Sequence, residues 1–343
     1  MTSKDRLMAS LKLGIPDRVP FLPRHELFAL KYAGFHYTEA LHDCDKWVRA
    51  QVQALEDFHC DSVWDSCTAA LFGELWGGRI ILFDDDPPAN EPFVESIDQL
   101  AQFDKRPDFS KSPFLKTCLN TVTRLKKAVG DEIPVIGLVP MPFRFLTVAR
   151  GIENAMLDLV LNPDLVCALQ EYYISIATRY VEALVEAGSD LVVLFNPAAS
   201  KNCISRKHYE QFVHPYSKYL FQELKERNIM SIYHTCGDWS DRIDLVAEEG
   251  AECLWIDGTT TTDLAVLKHA IGSKVCIMGN VHVVNVLLEG TPEEVVKETR
   301  RCLDKGSPGG GYILSGNCLL PRDVPPSNLY AMETACREFG QYN

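Results

Sequence analysis

The sequence predicts an α/β protein, a single (β/α)8 barrel domain spanning residues 1–343 with helical additions near its N-terminal end. Three observations point there. Short apolar runs alternate with stretches of helical length and period, the pattern of βαβ units around a parallel sheet. Eight runs can be counted, beginning at Val19, Ser62, Ile133, Asp190, Ile229, Cys253, Lys274 and Gly311, the number that closes a parallel barrel. The 343 residues, 46% of them hydrophobic, suit one large core, because α/β barrels commonly reach this length as one domain. A doubly wound open sheet is the alternative, but no Gly-x-Gly-x-x-Gly follows the first run.

The elements run in this order. Lys4 to Leu13 reads as an amphipathic helix ended by Gly14-Ile15-Pro16, and Arg18 to Leu22 as a short strand. A helix over Asp45 to Phe58 leads to the strand Ser62-Val63-Trp64-Asp65. Gly77 to Phe83 reads as an antiparallel excursion, and the acidic, proline-rich Asp84 to Pro92 as a loop, either a lid or a solvated connection. After a helix over Lys116 to Val129, the run Ile133 to Val139 is apolar throughout, as in strands covered on both faces. Helices at Ile152 to Leu161 and Pro163 to Ala187 come next. Strand and helix then alternate: strand Asp190–Phe195, helix Ser205–Arg227, strand Ile229–His234, helix Ser240–Glu249, strand Cys253–Ile256 and helix Asp263–Ala270. Strand Lys274–Met278, helix Pro292–Lys305, strand Gly311–Leu314 and helix Pro326–Phe339 complete the chain.

Composition narrows the function classes. A net charge of −13 disfavours nucleic-acid and anionic-membrane partners, which demand basic patches. No apolar run approaches the roughly 20 residues of a membrane span. The polar start and twelve irregularly spaced cysteines fit a reducing cytoplasm better than a disulfide framework.

Barrel chemistry gathers at the C-terminal ends of the strands. The residues just after each run are Arg24, His25 and Glu26; Asp65; Pro140, Met141 and Arg144; Asn196; His234 and Cys236; Asp257; Asn280; and Cys318. Alternation along a strand sends His234 and Cys236 to the same side, so an imidazole and a thiolate can grip one ion. Cys318, after another apolar run ending in glycine, is the best third donor. Taken alone, His-x-Cys in a cysteine-rich chain also fits ordinary packing, because free cysteine is a small buried hydrophobe. All three donors nevertheless fall on a set chosen without reference to metals, which favours the metal reading; Cys253 and Cys276 lie inside strands and read as core. Two thiolates and one neutral imidazole around Zn2+ make an uncharged centre with one position open, the form of a catalytic zinc site. Such an ion holds a thiol as thiolate or polarises a departing oxygen. Asp65 and Asp257 read either as proton donors or as helix caps, and Gly258-Thr259-Thr260 after Asp257 keeps the second reading open. Glu26 is a third candidate acid. His25, Trp64, Phe143, Asn196 and Asn280 are candidate substrate contacts at the same rim, the two asparagines equally suited to stabilising turns.

Tyr233-His234-Thr235-Cys236-Gly237-Asp238, Met278-Gly279-Asn280-Val281 and Gly316-Asn317-Cys318, with Pro321 and Val324-Pro325-Pro326-Ser327-Asn328-Leu329, resemble the uroporphyrinogen decarboxylase superfamily. Within it they resemble the zinc-dependent, corrinoid-linked methyltransferases, and the resemblance covers nearly the whole chain. In those enzymes the His-x-Cys pair and the distant cysteine bind zinc, which assigns that role to His234, Cys236 and Cys318. The decarboxylases' Pro-Phe-x-Arg-Gln-Ala-Gly-Arg stretch appears here as Pro20-Phe21-Leu22-Pro23-Arg24-His25-Glu26, without the paired arginines that hold propionates, and their catalytic aspartate falls near Thr68, close to Asp65. Porphyrin decarboxylation is therefore not expected. Thiol-methylating members carry Gly-Cys-Gly where this chain has Gly316-Asn317-Cys318-Leu319, which argues against a coenzyme M acceptor.

The resemblance implies a cytoplasmic zinc methyltransferase that moves a methyl group from a small methylated donor, such as an aromatic methyl ether, to the cobalt of a corrinoid protein. No Asp-x-His-x-x-Gly is present, so the corrinoid is expected on a partner protein. Asp65, Asp257 or Glu26 would protonate the leaving oxygen. Transfer in reverse, to a thiol of the coenzyme M type, is the second reading. A non-catalytic barrel with structural zinc and a porphyrinogen decarboxylase are the remaining ones.

Overall fold

The computed structural model describes residues 1–257 and 263–342. Seven parallel strands form one curled sheet in the order β1 (Val63–Trp64), β4 (Val135–Pro140), β5 (Leu191–Phe195), β6 (Ser231–Thr235), β7 (Cys253–Ile256), β8 (Cys276–Met278) and β9 (Tyr312–Ile313). The two remaining strands, β2 (Ile80–Ile81) and β3 (Ala89–Asn90), pair antiparallel; β2 falls in the excursion anticipated after β1, while β3 lies within Asp84–Pro92, which the sequence reads as a loop. Every residue of the seven strands is buried, as befits apolar runs covered on both faces by side chains and helices.

The count of eight strands is corrected to seven in the sheet. The run at Val19 is too short to form a ladder, because Pro20 has no N–H to give and Pro23 follows at once. It still occupies the place of a strand. Phe21 bridges Leu314 in parallel; the N–H groups of Leu314 and Leu22 donate to Pro20 O and Leu314 O, and Asp61 N donates to Phe21 O at 2.8 Å. The architecture is barrel-like α/β, with helices outside a curled parallel sheet.

Most helices start and stop where their signals lie. The helix Pro163–Ala187 opens on proline and ends at Gly188, whose φ of +111° favours glycine. Thr291 and Glu294 form a capping box on the helix Pro292–Gly306. Two expectations differ. The single helix over Ser205 to Arg227 is broken at Val213 into Arg206–Phe212 and His214–Glu226, because Pro215 has no N–H to donate to Gln211 and is tolerated only in the first turn of a helix. The helix over Ser240 to Glu249 shrinks to Ile243–Val246. There Arg242 turns inward, fully buried, to donate to Ala199 O and Ile204 O. Among the described residues, no helix is long and apolar enough to cross a membrane. All twelve cysteines are free thiols.

Candidate metal centre

His234 leaves the end of β6 and Cys236 the turn that follows it; Cys318 arrives from the loop beyond β9. The three donors converge. His234 Nε2 lies 3.0 Å from Cys236 Sγ, Cys318 Sγ lies 3.6 Å from Cys236 Sγ, and Cys318 Sγ lies 3.6 Å from His234 Nε2. A tetrahedral zinc at ordinary bond lengths separates two sulfurs by about 3.8 Å and a nitrogen from a sulfur by about 3.6 Å. The two contacts of Cys318 match that geometry, while the 3.0 Å contact is that of a thiol hydrogen-bonded to imidazole. The donor set therefore fits the ion. Among the described residues, this is the one group of three or more histidine, cysteine or acidic side chains close enough to hold a metal.

The surroundings fix each donor. His234 Nδ1 faces Trp255 O at 3.4 Å. A carbonyl only accepts, so Nδ1 carries the proton and Nε2 presents its lone pair to the thiols. The Trp255 indole lies against the imidazole, with ring centroids 3.9 Å apart, and donates through Nε1 to Gly316 O, two residues before Cys318. Gly237 follows Cys236 with φ of +83°, and a Cβ there would meet Asn202 Oδ1 at 2.8 Å, so the turn requires glycine. The thiols share charge. A hydrogen bond from the Cys236 thiol, with the charge of Arg24 nearby, holds Cys318 well below the usual thiol range, and that thiolate together with burial pushes Cys236 up.

Asp257 spans the two ligand-bearing loops. Its Oδ2 accepts from Gly237 N at 2.8 Å and its Oδ1 from Asn317 Nδ2 at 2.6 Å, so one carboxylate grips the neighbour of each cysteine. Asn317 is itself held, its Oδ1 accepting from Val283 N at 2.8 Å. The alternative of Asp257 as a cap over Gly258-Thr259-Thr260 lies outside the described residues. Asp65 is also engaged. Its two oxygens accept from Cys67 N at 3.0 Å and Leu138 N at 3.1 Å, and burial pushes its pKa up to about 7.

Glu26 differs from both. Its Oε1 accepts from Arg24 Nε at 2.7 Å, while Oε2 is buried without a partner among the described residues. Burial works against the charge of Arg24, but Glu26 and the two thiols hold it protonated. Arg24, Glu26, Asp65 and Leu319 line a cavity of about 10 Å³, the room of a single water.

The other candidates sit further back. Trp64 is fully buried, its ring centroid 5.9 Å from that of Trp255, and donates to Pro23 O; Phe143 is buried too. His25 is fully enclosed, with Nδ1 against Pro23 O and Nε2 without a partner among the described residues, and burial lowers its pKa so that it stays neutral. Asn196 donates to Tyr233 OH at 3.3 Å. Asn280 points to Cys302 on an outer helix, Sγ to Oδ1 being 3.6 Å. Trp255 and Asn317 join the ligand strands; by sequence Trp255 is one of the aromatics offering apolar walls near the rim, and Asn317 only a member of the Gly316-Asn317-Cys318 motif. Asn317 was findable as the neighbour of Cys318; Trp255 resembled any strand aromatic.

Sequence comparison places this arrangement in context. The family model described as uroporphyrinogen decarboxylase (URO-D) matches residues 2–339. A methylcobamide:CoM methyltransferase of Methanosarcina mazei is 26% identical over 98% of this chain and 98% of its own length. A methylated-thiol–coenzyme M methyltransferase of the same organism is 26% identical over 74% of this chain and 66% of its own. Among solved structures, a methyltransferase from Methanosarcina mazei superposes with a TM-score of 0.89 at 22% identity, covering 99% of both chains, a likeness of fold. With its model matched almost from end to end, this chain belongs to the uroporphyrinogen decarboxylase family.

Proposed function

We propose that this chain is a corrinoid-dependent methyltransferase that uses a zinc ion held by His234, Cys236 and Cys318. It exchanges a methyl group between a small molecule and the corrinoid of a partner protein. The observation that carries the reading is the convergence of one imidazole nitrogen and two sulfurs within 3.6 Å of one another, a donor set that leaves a tetrahedral ion one open position. The relatives named as methylcobamide:CoM methyltransferases support it. In this reading the run at Val19 supplies the eighth position that closes the sheet into a barrel. When bound, zinc supplies Lewis acidity that stabilises charge on the sulfur or oxygen bearing the methyl group.

The chain's own residues divide the remaining work. His234, oriented by Trp255 O, offers a neutral nitrogen, and Asp257 keeps the loops of Cys236 and Cys318 in register. Asp257 and Asp65 each spend both oxygens on N–H donors, so neither is placed to move a proton freely. Glu26, with Oε2 unengaged beside a one-water cavity, is the acid positioned for proton exchange with a leaving oxygen. Arg24 stabilises the carboxylate that remains.

The favoured direction is demethylation of a small methylated donor such as a methoxyarene. The thiol direction is kept as a second reading, because two relatives carry coenzyme M in their names. The test mixes zinc-loaded protein with a reduced corrinoid protein and, in turn, methoxyarenes, methanol and methylthiols, following methyl-cobalt absorbance. Its rise with a methoxyarene supports the favoured direction. Loss of methyl-cobalt when methylcobalamin is given with coenzyme M supports the reverse one. No change in any arm sinks the proposal.

A further inference from the structure

Arg144 and Arg179 are half-buried arginines whose Nε has no partner among the described residues, and of the two Arg144 lies just beyond the end of β4 while Arg179 lies on the helix Pro163–Ala187. Arg6, Arg24, Arg150 and Arg242 are all largely buried, and each has a carboxylate within 2.8 Å, from Asp61, Glu26, Asp158 and Asp241. Arg144 has none among the described residues. Its only hydrogen bond there is Nη1 to Thr147 Oγ1 at 2.9 Å, and its Nε is buried without a partner. Thr147 Oγ1 in turn donates to Arg144 O, so that contact is local to one helical turn and neutralises nothing.

Its place in the fold is close to the ligands. The helix Pro142–Arg150 begins directly after β4, and Met141 N donates to Phe195 O at 3.1 Å. Pro140, Phe195 and His234 are register partners across β4, β5 and β6. Parallel strands lie about 4.8 Å apart, so Pro140 lies roughly 10 Å from His234, and Arg144 follows it in the first turns of the helix, at the same end of the strands as the ligands. Burial draws its pKa down, yet a guanidinium stays charged in any protein setting. Zinc would neutralise both thiolates, leaving Arg144 with no anion among the described residues.

A half-buried charge with no counterion among the described residues adds little to a fold, so a chain that retains one has a use for it outside its own stability. We propose that Arg144 is a specificity-determining residue that receives an anionic oxygen group, a carboxylate or sulfonate, on the small substrate whose methyl-bearing or methyl-accepting atom meets the metal. The planar fork of a guanidinium suits either group, in paired hydrogen bonds that also orient the ligand. The proposal rests on the methyltransferase reading only for what happens next to the metal; anion capture stands or falls by itself.

The experiment measures binding by titration calorimetry to the zinc-loaded and zinc-free full-length protein, with benzoate, benzenesulfonate and neutral benzyl alcohol as probes. Either anion should bind at least tenfold more tightly than the alcohol, and the tighter of the two identifies the headgroup. Arg144→Met should abolish that preference and Arg144→Lys should retain part of it. Arg144→Met should also melt at the same temperature as the parent or higher, since it removes an uncompensated charge; a structural arginine would lower the melt instead. Failure of both anions to bind the parent in preference to the alcohol overturns the proposal, as does an unchanged preference in Arg144→Met. An anion preference that depends on Arg144, in a protein that transfers no methyl group, would leave this inference standing and remove only the reaction assigned above.

Discussion

At the scale of single residues the cluster of His234, Cys236 and Cys318 is positioned by groups outside it. Asp257 grips the backbone beside Cys236 with one oxygen and the Asn317 amide beside Cys318 with the other. Asparagine in its place keeps one acceptor and turns an N–H against one of the two donors, so one loop is released. Outer hydrogen-bond partners of metal ligands commonly contribute about 10- to 100-fold in metal affinity. Asp257→Asn should therefore lose zinc to a competing chelator at a concentration lower by that factor, with its melting in the zinc-free state little changed. Equal chelator resistance in parent and variant would remove the positioning role. The convergence of the three side chains is legible in the sequence, since a strand dictates that His234 and Cys236 share a face and the strand-end rule brings in Cys318. The role of Asp257 is not. A carboxylate after a strand looks the same whether it caps a helix, moves a proton or ties two loops, and only the positions of its N–H partners decide.

Elements were legible where the period is long and the punctuation sharp, as in the helices Ile152–Leu161, Pro163–Ala187 and Pro326–Phe339, which begin and end as anticipated. The helix Pro142–Arg150 has no counterpart among the elements anticipated from the sequence, although Pro142 at its first turn is a start signal. The break at Val213 was written in Pro215. It creates a buried polar junction, in which Glu249 Oε1 accepts from Tyr209 OH at 2.5 Å and faces His214 Nδ1 at 3.0 Å, with Oε2 unpartnered among the described residues. Burial pushes Glu249 from 4.5 up to about 7, opposed by His214 and Tyr209. Between those values the folded chain holds a proton that the unfolded chain has released, so this group's contribution to stability is full below about pH 4.5, falls as pH rises to about 7 and is level above. The loss is on the order of 3 kcal/mol at most for a shift of this size. Gln in its place keeps the Oε1 acceptor, puts its NH2 where nothing bonds, and cannot titrate. Urea unfolding of Glu249→Gln at pH 5 and pH 8 should show a smaller fall with rising pH than the parent shows; matching slopes would mean the carboxyl is already ionised in the fold.

For the whole molecule, the sheet is joined where its strands are shortest, and there the sequence under-reports. A run broken by Pro20 and Pro23 pairs through single bridges, so its position is set by side chains beneath the sheet and not by a ladder. Asp61, 1% exposed at the foot of β1, does that work. Its Oδ1 accepts from Ser3 Oγ at 2.7 Å, Arg6 Nη1 at 2.7 Å and Arg18 Nη2 at 3.0 Å, and its Oδ2 from Arg18 Nη1 at 2.8 Å and Phe21 N at 2.7 Å. One carboxylate thereby ties the first helix, Ser3–Leu11, to the segment that sits between β9 and β1. Removing one partner of a buried ion pair costs about 3–5 kcal/mol, because the charge left behind stays desolvated. Arg6 keeps Asp17, with Nε to Oδ1 at 2.7 Å, which puts the expectation for Asp61→Ala at the lower end of that range. The urea midpoint should fall accordingly with the slope unchanged, since a similar surface is exposed on unfolding. This foot lies at the opposite end of the strands from His234, Cys236 and Cys318, so the folded fraction should still bind one zinc per chain. A loss below about 1 kcal/mol, the scale of an exposed pair, would mean the bridges at Phe21 hold the sheet together without the charges beneath it. Zinc lost in step with stability would mean that the foot and the mouth of the sheet are not independent.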